Sequence, residues 1–157
     1  MIECEAIRAI LLTPAPEVLL RRVRDPAGGD AFWITPGGGL QPGEHIEAGL
    51  RRELREELGL EDFVIGPVVW RRHHTFDWAK KRVSQREQYH IVYVARFEPR
   101  MSDALEMQVV ERFRWWPVVE LPRATERLTP LALAEILARY PKEGPPRDLP
   151  EVEVIVD

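Results

Sequence analysis

Three glutamates, Glu53, Glu56 and Glu57, lie within one five-residue stretch that the hydrophobic pattern predicts to be helical. At about 100° of rotation per residue, Glu53 and Glu57 fall beside Ile46, at the edge of the apolar stripe of that helix. Like charges four residues apart repel each other, and partial desolvation makes their proximity more costly by kilocalories. A cation must therefore compensate, and hard divalent cations such as Mg²⁺ or Mn²⁺ prefer carboxylate oxygens.

The surroundings of these carboxylates leave two interpretations open. Arg52 can neutralise one carboxylate, which leaves excess negative charge for a metal ion to balance. The charge pattern alone favours a solvated acidic face, because charged helix faces are mostly structural. Gly49 costs the helix about 1 kcal/mol relative to alanine. Its missing side chain would admit a metal ion, a phosphate or another backbone, although packing against a neighbouring element is the simpler explanation.

The spacing of the whole segment is more specific than its charge. Residues 38–60 read GGLQPGEHIEAGLRRELREELGL. This segment resembles the Nudix box at every defining position, and nine fixed positions in 23 residues make a far stronger signal than a lone glycine-rich loop. The nine matching positions are Gly38, Glu44, Arg52, Glu53, Leu54, Glu56, Glu57, Gly59 and Leu60.

The resemblance implies a fold and an activity. Nudix proteins belong to the α/β (α+β) class and are α/β/α sandwiches with a central mixed β-sheet. They hydrolyse a nucleoside diphosphate linked to another moiety, with Mg²⁺ or Mn²⁺ as the cofactor. The resemblance therefore predicts a metal-dependent pyrophosphohydrolase that cleaves a phosphoanhydride bond with activated water and takes a small-molecule nucleotide or diphosphate as substrate.

The resemblance also implies roles for the box residues. The glutamates Glu53, Glu56 and Glu57 ligate metal or activate water, and Arg52 orients a carboxylate. Two further residues, Glu44 and Gly38, support the loop–helix arrangement and permit the tight loop. Neighbours of Gly38 offer backbone groups to metal and phosphate.

The general base stays open among four glutamates. Glu53 and Glu56 are the candidates inside the box. Some family members recruit a glutamate from a later loop, and Glu106 and Glu111 lie in that region, before Trp115.

Substrate contacts are expected outside the box. Arg21 and Arg22 lie on the second predicted strand and could grip terminal phosphates, with solvent-exposed charge as the alternative. Trp33 precedes the box and could stack a nucleobase, although burial in the core is the favoured expectation. Glu87 leads into a long strand and is a candidate metal or substrate contact.

The elements that must position these residues follow from local patterns. The box helix is expected over residues 45–58 with Gly59 as its C-cap. A second helix is expected from Pro130, with Thr129 as N-cap and Leu131 on its apolar surface. Residues 36–39 and 77–85 are expected to be a permissive loop and a polar connection, and residues 104–110 are ambiguous. Strands are predicted at 6–12, 18–23, 32–34, 63–76, 88–97 and 113–116, with an edge strand within the tail 141–157.

Size and charge narrow the class of protein. The chain has 157 residues, a net charge of −4 and a pI near 5.7. That length suits a single domain over residues 1–157, and a basic excess typical of nucleic-acid binding is missing. The sequence shows neither a signal peptide nor an apolar run of about 20 residues, which predicts a cytoplasmic protein without membrane partners. Its oligomeric state, including a homodimer, stays open.

Composition leaves one question undecided. The sequence has 14 prolines and no asparagine. Low amide content and proline-rich loops recur in thermophile proteins. A GC-rich genome would give a similar bias, and both explanations can hold together.

Two other functions compete with hydrolysis. A non-catalytic nucleotide-binding regulator commonly lacks a box glutamate, and here all are present. A prenyl-diphosphate isomerase would need a catalytic cysteine beside the diphosphate, and Cys4, the one cysteine of the chain, is a poor candidate. Metal-dependent release of phosphate-containing products would separate a hydrolase from a regulator.

Overall fold

The computed structural model describes residues 1–101 and 109–157 of the chain. Two α-helices within these residues are α1 (Ile46–Leu58) and α2 (Leu133–Glu143), and a 3₁₀ helix spans Val118–Arg123. Nine strands form one sheet. The strands are β1 (Ile2–Leu12), β2 (Glu17–Val23), β3 (Phe32–Ile34), β4 (Gly37–Gly39), β5 (Val64–Trp78), β6 (Lys81–Tyr93), β7 (Val110–Pro117), β8 (Leu128–Thr129) and β9 (Val152–Val156).

The sheet is mixed, as predicted. Its main order is β8-β3-β2-β1-β6-β5-β9, and β4 and β7 pair with β1 and β2 respectively. The pairs β1–β6, β3–β8 and β5–β9 are parallel, whereas the other pairs are antiparallel. β1 and β2 pair at Leu12 and Val18 and then take other partners, because β1 pairs with β4 around Ile7 while β2 pairs with β3 and β7.

The two helices cover opposite faces of this sheet. Alternate residues of a strand point to opposite faces, so β1 contributes Ile10 to one apolar cluster and Ile7 and Leu11 to the other. The first cluster contains Leu133 of α2, and the second contains Leu50 of α1. This three-layer arrangement confirms the expected α/β class with a mixed central sheet.

The box helix forms where the sequence predicts it. The His45 side chain accepts a hydrogen bond from the Glu47 backbone N–H at the N-terminus of α1. Gly59 ends the helix in a left-handed conformation at φ 67°, and its N–H donates to the Arg55 carbonyl. Leu54, like Leu50, is fully buried against the sheet. The helix therefore holds its glutamates at a fixed distance from the strands.

Several predicted boundaries are wrong. Residues 77–85 belong to a β-hairpin, since β5 runs to Trp78 and β6 begins at Lys81, with Ala79 and Lys80 at positive φ in the turn. The polar residues there alternate across a paired ribbon, which a composition argument mistakes for a loop. β6 also ends at Tyr93, four residues before the predicted end. Within the predicted loop 36–39, which is called the glycine loop below, Gly37–Gly39 forms the short strand β4.

The second helix starts later than predicted. Thr129 lies in β8, and Ala132 is the N-cap residue of α2. Leu131 precedes the helix and is 59% exposed, so it does not contribute to the apolar surface. The tail forms the edge strand β9, as predicted. Residues 102–108 lie outside the described chain, so the ambiguous segment 104–110 is settled only at Val110, where β7 begins. No helix of the described residues has the length and apolarity to cross a membrane.

Candidate active site

Arg52 is the centre of the carboxylate cluster on α1. Its Nε donates to Glu44 Oε2 at 2.8 Å, and its Nη1 donates to Glu53 Oε1 at 2.9 Å and to Glu56 Oε2 at 3.3 Å. Its Nη2 donates to the Gly39 carbonyl at 3.0 Å. The sequence predicts that Arg52 neutralises one carboxylate. It instead contacts three, because Glu44, which precedes the helix, joins Glu53 and Glu56 of the helix.

The pKa values of Glu44 and Glu53, which both contact Arg52, are shifted in opposite directions. Hydrogen bonds from Arg52 and from the Gln41 backbone N–H lower the pKa of Glu44 to about 2. Burial raises the pKa of Glu53, and the neighbouring Arg52 opposes that shift. The surroundings of Glu53 therefore favour its protonated form, whereas those of Glu44 favour the carboxylate.

Glu53 lies directly against the glycine loop. A Cβ atom added at Gly38 would come within 2.5 Å of the Glu53 carboxyl carbon, so only glycine leaves room for that side chain. A Cβ added at Gly49 would come within 2.4 Å of Leu40 Cδ2, which favours the packing explanation for that glycine. The same Cβ at Gly49 would also come within 3.1 Å of Glu44 Oε1, so both glycines lie beside carboxylates of the box.

Glu57 is buried and held from two sides. Its exposed fraction is 1%, and Arg21 Nη1 donates to Oε1 at 2.8 Å. The Gly37 backbone N–H donates to Oε2 at 2.9 Å. The guanidinium of Arg21 also donates to the Gly37 carbonyl at 3.3 Å, and its contact with a terminal phosphate stays a prediction. These contacts join β2, β4 and α1.

The charge and ligand chemistry of the cluster fit a divalent cation. Arg52 pairs with Glu44, Glu53 and Glu56, so three carboxylates share one guanidinium group. The Glu56 side chain is 44% exposed and therefore accessible from solvent. All the donors are hard oxygens, which suit Mg²⁺ or Mn²⁺. Across residues 1–101 and 109–157, no three His, Cys, Asp or Glu side chains are already gathered in metal-binding geometry, so binding would require these side chains to turn away from Arg52.

A cavity of about 570 Å³ adjoins the glycine loop. Gly38 lines it at one side, and β2 and β3 line it opposite β1, β5 and β6. Four alternate residues of β5 face it in sequence: Arg72, His74, Phe76 and Trp78. Because they are two residues apart on one strand, successive side chains are separated by roughly 7 Å. The cavity wall thus changes from cationic near the glycine loop to aromatic at the hairpin turn.

Glu87 is fixed between two arginines in this wall. Its Oε2 accepts from Arg8 Nε at 3.1 Å and from the Tyr89 hydroxyl at 3.2 Å, and its Oε1 accepts from Arg72 Nε at 2.8 Å. Burial alone would raise the pKa of Glu87, but the charges of Arg8 and Arg72 hold it below its usual value. The Glu87 carboxylate therefore compensates two buried guanidinium groups, and its role as a metal or substrate contact stays a prediction.

The remaining predicted contacts lie away from the cavity. Trp33 is 2% exposed and packs edge-to-face on Trp116 at 5.3 Å, which matches the expected burial rather than base stacking. Arg22 pairs with Glu126 at 2.7 Å and also with Glu111, so neither Arg22 nor Glu111 is directed at the carboxylate cluster. Glu106 lies outside the described residues.

Sequence reasoning missed the arginines and aromatic rings of the cavity. Arg8, Arg72, Phe32 and Trp78 line it, yet each belongs to a strand whose non-local partners decide which face is enclosed. The alternation of Arg72 with His74 along β5 was a usable signal, because period-two residues share a face. It could not show that this face encloses a cavity.

Comparisons with known proteins agree with this architecture. The family model described as NUDIX domain matches residues 5–140. A nucleoside triphosphatase NudI from Salmonella arizonae is 51% identical over 37 residues, which are 24% of this chain and 26% of that protein. The chain thus spans about a quarter of the length of the curated relatives it matches.

Solved structures share the fold over most of the chain. The MutT protein from Methanosarcina mazei Go1 has a TM-score of 0.65 and 22% identity, covering 90% of this chain and 97% of that one. A MutT NUDIX hydrolase from Burkholderia pseudomallei has a TM-score of 0.61 and 23% identity, with coverages of 87% and 99%. At such identities the similarity establishes the fold.

Proposed function

Because this chain belongs to the NUDIX family, we propose that it hydrolyses a phosphoanhydride bond in a nucleoside diphosphate linked to another moiety, with Mg²⁺ or Mn²⁺ as the cofactor. The observation that carries this proposal is that three carboxylates of the box share one arginine, Arg52. Glu53 and Glu56 share that arginine with Glu44, directly beside the glycine loop that lines the cavity. A carboxylate-rich cluster repels a diphosphate unless a divalent cation lies between them.

Glu53, Glu56 and Glu57 are the residues we assign to the metal. Each carboxylate oxygen has more than one lone pair, so Glu57 can keep its bonds to Arg21 and Gly37 while it binds a cation. Glu53 and Glu56 both pair with Arg52. A bound divalent ion would neutralise charge on the diphosphate and lower the pKa of a bound water.

The box glutamates also provide the proton acceptor. Attack of water forms a new P–O bond and breaks the P–O–P bridge, which gives two phosphate-containing products. The proton lost by water passes to a carboxylate, and such general-base catalysis contributes about 10²- to 10⁴-fold. Burial raises the pKa of Glu53, which brings it closer to the range in which a base works best. Glu53 and Glu56 are both retained as candidates.

The aromatic end of the cavity supports a nucleotide substrate. Phe32 and Trp78 lie 6.3 Å apart in an edge-to-face arrangement, and both line the cavity. The guanidinium of Arg127 lies over the Phe32 ring at 4.9 Å. Partly exposed rings offer a planar base a surface for stacking.

The isomerase alternative has little support from the surroundings of Cys4. Its Sγ donates to Gln85 Oε1 at 3.3 Å, and burial raises the pKa of the thiol. Cys4 does not line the cavity beside the glycine loop. A thiol kept protonated outside that cavity is a poor partner for a diphosphate substrate.

Turnover of a panel of diphosphate compounds tests the proposal. Nucleoside triphosphates, dinucleoside polyphosphates and nucleotide sugars are incubated with Mg²⁺ or Mn²⁺, and both products are identified by mass. We expect release of a nucleotide that depends on the metal. Glu56→Gln should lower kcat by about 10²-fold or more, because it removes a charged ligand or base.

Glu47→Gln is the matched control for this variant. Glu47 lies on the same helix and pairs with Arg51 four residues later, with a side chain that is 59% exposed. Its replacement should leave turnover within about twofold, because exposed pairs contribute little. Unchanged turnover of Glu56→Gln at saturating Mg²⁺ would contradict the site assignment.

A further inference from the structure

Two buried arginines share one carboxylate in the cavity wall beside the glycine loop. Arg8, Arg72 and Glu87 are 7, 3 and 4% exposed, and all three line the cavity. Each guanidinium pairs with the Glu87 carboxylate. Asp157 also lines the cavity, but its carboxylate hydrogen-bonds His74 at 2.6 Å and lies 3.9 Å from Arg127. A phosphate that enters this part of the cavity would therefore meet two guanidinium groups that are held by a single carboxylate.

The contacts to Glu87 hold each guanidinium by one side only. Arg8 donates through Nε to Glu87 and through Nη1 to the Gly37 carbonyl at 3.1 Å. Arg72 contacts Glu87 through Nε and Nη2. Among the described residues, Arg8 Nη2 and Arg72 Nη1 have no hydrogen-bond partner, and both side chains line the cavity. Glu87 therefore fixes two guanidinium groups in orientations that leave one donor nitrogen on each for a ligand.

The pair of arginines lies next to the carboxylate cluster. Arg8 pairs with Gly37 across β1 and β4, and the following residue, Gly38, is the one packed against Glu53. Arg72 continues the wall away from the glycine loop, toward the aromatic end. A chain of phosphates leaving the carboxylate cluster would meet these arginines next.

We propose that Arg8 and Arg72, oriented by Glu87, form a binding site for a phosphate of the substrate that lies next to the diphosphate at the carboxylate cluster. Two guanidinium groups bind a phosphate through charge-assisted hydrogen bonds. This inference rests on the proposed function, and it narrows the substrate class. The protein prefers a polyphosphate with at least three phosphates over a diphosphate linked to an uncharged sugar.

Binding of inorganic tripolyphosphate to metal-free protein tests the site without relying on turnover. We expect saturable binding by the wild-type protein in isothermal titration calorimetry at low salt. Arg8→Gln and Arg72→Gln should each weaken it by about tenfold or more. The absence of saturable wild-type binding, or unchanged affinity in folded variants, would overturn the proposal.

Arg86→Gln is the control for a general loss of positive charge. Arg86 precedes Glu87 on β6, so its side chain points to the opposite face, and it is exposed. We expect its affinity for tripolyphosphate to stay within about twofold of wild type. An equal loss in Arg86→Gln would show that overall charge, not the Arg8–Arg72 pair, binds the probe, and would overturn the proposal.

A conservative variant covers the case in which the glutamine variants do not fold. Arg72→Lys keeps a positive charge and one contact to Glu87, but it loses the planar fork. We expect tripolyphosphate binding to weaken by about three- to tenfold, and an unchanged affinity counts against the site. Thermal unfolding of every variant identifies those that fold.

A comparison of substrates separates this inference from the proposed function. The ratio of kcat/KM for a nucleoside triphosphate to that for a nucleotide sugar should fall in Arg72→Gln, through a higher KM for the triphosphate. An unchanged ratio contradicts the phosphate site. If the wild-type protein hydrolyses neither compound with any metal, the proposed function fails, while the tripolyphosphate titration still decides the binding site.

Discussion

Arg52 and Glu57 hold the candidate site in two different ways. Arg52 lies at the surface of the cluster and shares its charge among Glu44, Glu53 and Glu56. Glu57 lies beneath it, buried between α1 and the glycine loop, where Arg21 compensates its charge. Removing one partner of a buried pair leaves a bare charge and costs about 3–5 kcal/mol. The buried Arg21–Glu57 pair therefore fixes the glycine loop against α1. The carboxylates that share Arg52 can more easily exchange this partner for a metal ion.

Gly38→Ala should impair activity more than stability. The added Cβ would meet the Glu53 carboxyl group at 2.5 Å, and that group is the far end of a flexible side chain that can move away. We expect kcat to fall by about tenfold or more, because a displacement near 1 Å at a reacting group costs up to 10²-fold. Steady-state kinetics and thermal unfolding measure the two effects separately.

Gly39→Ala is the matched control at the neighbouring position. Its added Cβ would lie 3.9 Å from the Glu5 carbonyl oxygen, which is ordinary contact. Activity close to wild type is expected there. Equal losses in the Gly38 and Gly39 variants would mean that the loop as a whole, not the Glu53 contact, is sensitive.

At the scale of elements, the β5–β6 hairpin positions most of the cavity wall. β6 pairs in parallel with the full length of β1, from Ile2 with Val83 to Leu12 with Tyr93. β5 then carries cationic, imidazole and aromatic side chains along one face. The edge strand β9 pairs with β5 over Arg71 to Thr75. A wall built from four paired strands is rigid enough to keep the order of these side chains fixed.

His74 makes the β5–β9 contact sensitive to pH. Burial lowers its pKa below the ordinary value of about 6.5, and this outweighs the opposing effect of Asp157. The folded protein then binds fewer protons than the unfolded chain, so stability rises with pH in that window. The stability that neutral His74 contributes is fully present above its pKa in the unfolded chain. It is lost as the pH falls from there toward its lower pKa in the folded protein.

Thermal unfolding between about pH 8 and about pH 5 tests this linkage. We expect the unfolding midpoint of the wild-type protein to fall over this range, and the fall to be smaller in His74→Gln. His73→Gln leaves His74 in place and serves as the control. A His74→Gln variant with the wild-type pH dependence would show that another group dominates.

At the scale of the whole molecule, the sheet is stabilised by helices on both faces. Leu50, Leu54 and Leu58 of α1 are at most 1% exposed on one face, and Leu133 and Leu137 of α2 are at most 2% exposed on the other. The carboxylate cluster belongs to the first face. Substitutions on the opposite face should therefore change stability without changing the chemistry.

Leu133→Ala and Leu131→Ala compare the stability contributions of a buried and an exposed leucine at the start of α2. Leu133 is fully buried, so its truncation should lower the free energy of unfolding by about 2–5 kcal/mol. Leu131 is 59% exposed, so its truncation should cost less than about 1 kcal/mol. Urea unfolding monitored by tryptophan fluorescence measures both. Equal losses would place the start of α2 nearer Pro130, as the sequence pattern alone suggests.

Local sequence determined the box helix and the type of sheet. Helix caps, apolar periodicity and turn residues act over a few positions, so α1 and its Gly59 cap were predicted closely. The edge strand β9 was predicted for the same reason, since alternation is a local signal. The family also followed from sequence, because the nine box positions are close together along the chain.

Tertiary structure decided which charges meet. Arg21 joins Glu57 across 36 positions, and Arg8 joins Glu87 across 79 positions. No periodicity argument reaches over such separations, because the pairing register of distant strands sets them. The same limit explains why the sequence did not show that Glu87 is the partner of two arginines. The sequence alone determined the acidic helix and the family, whereas only the folded sheet placed the cationic and aromatic wall of the cavity.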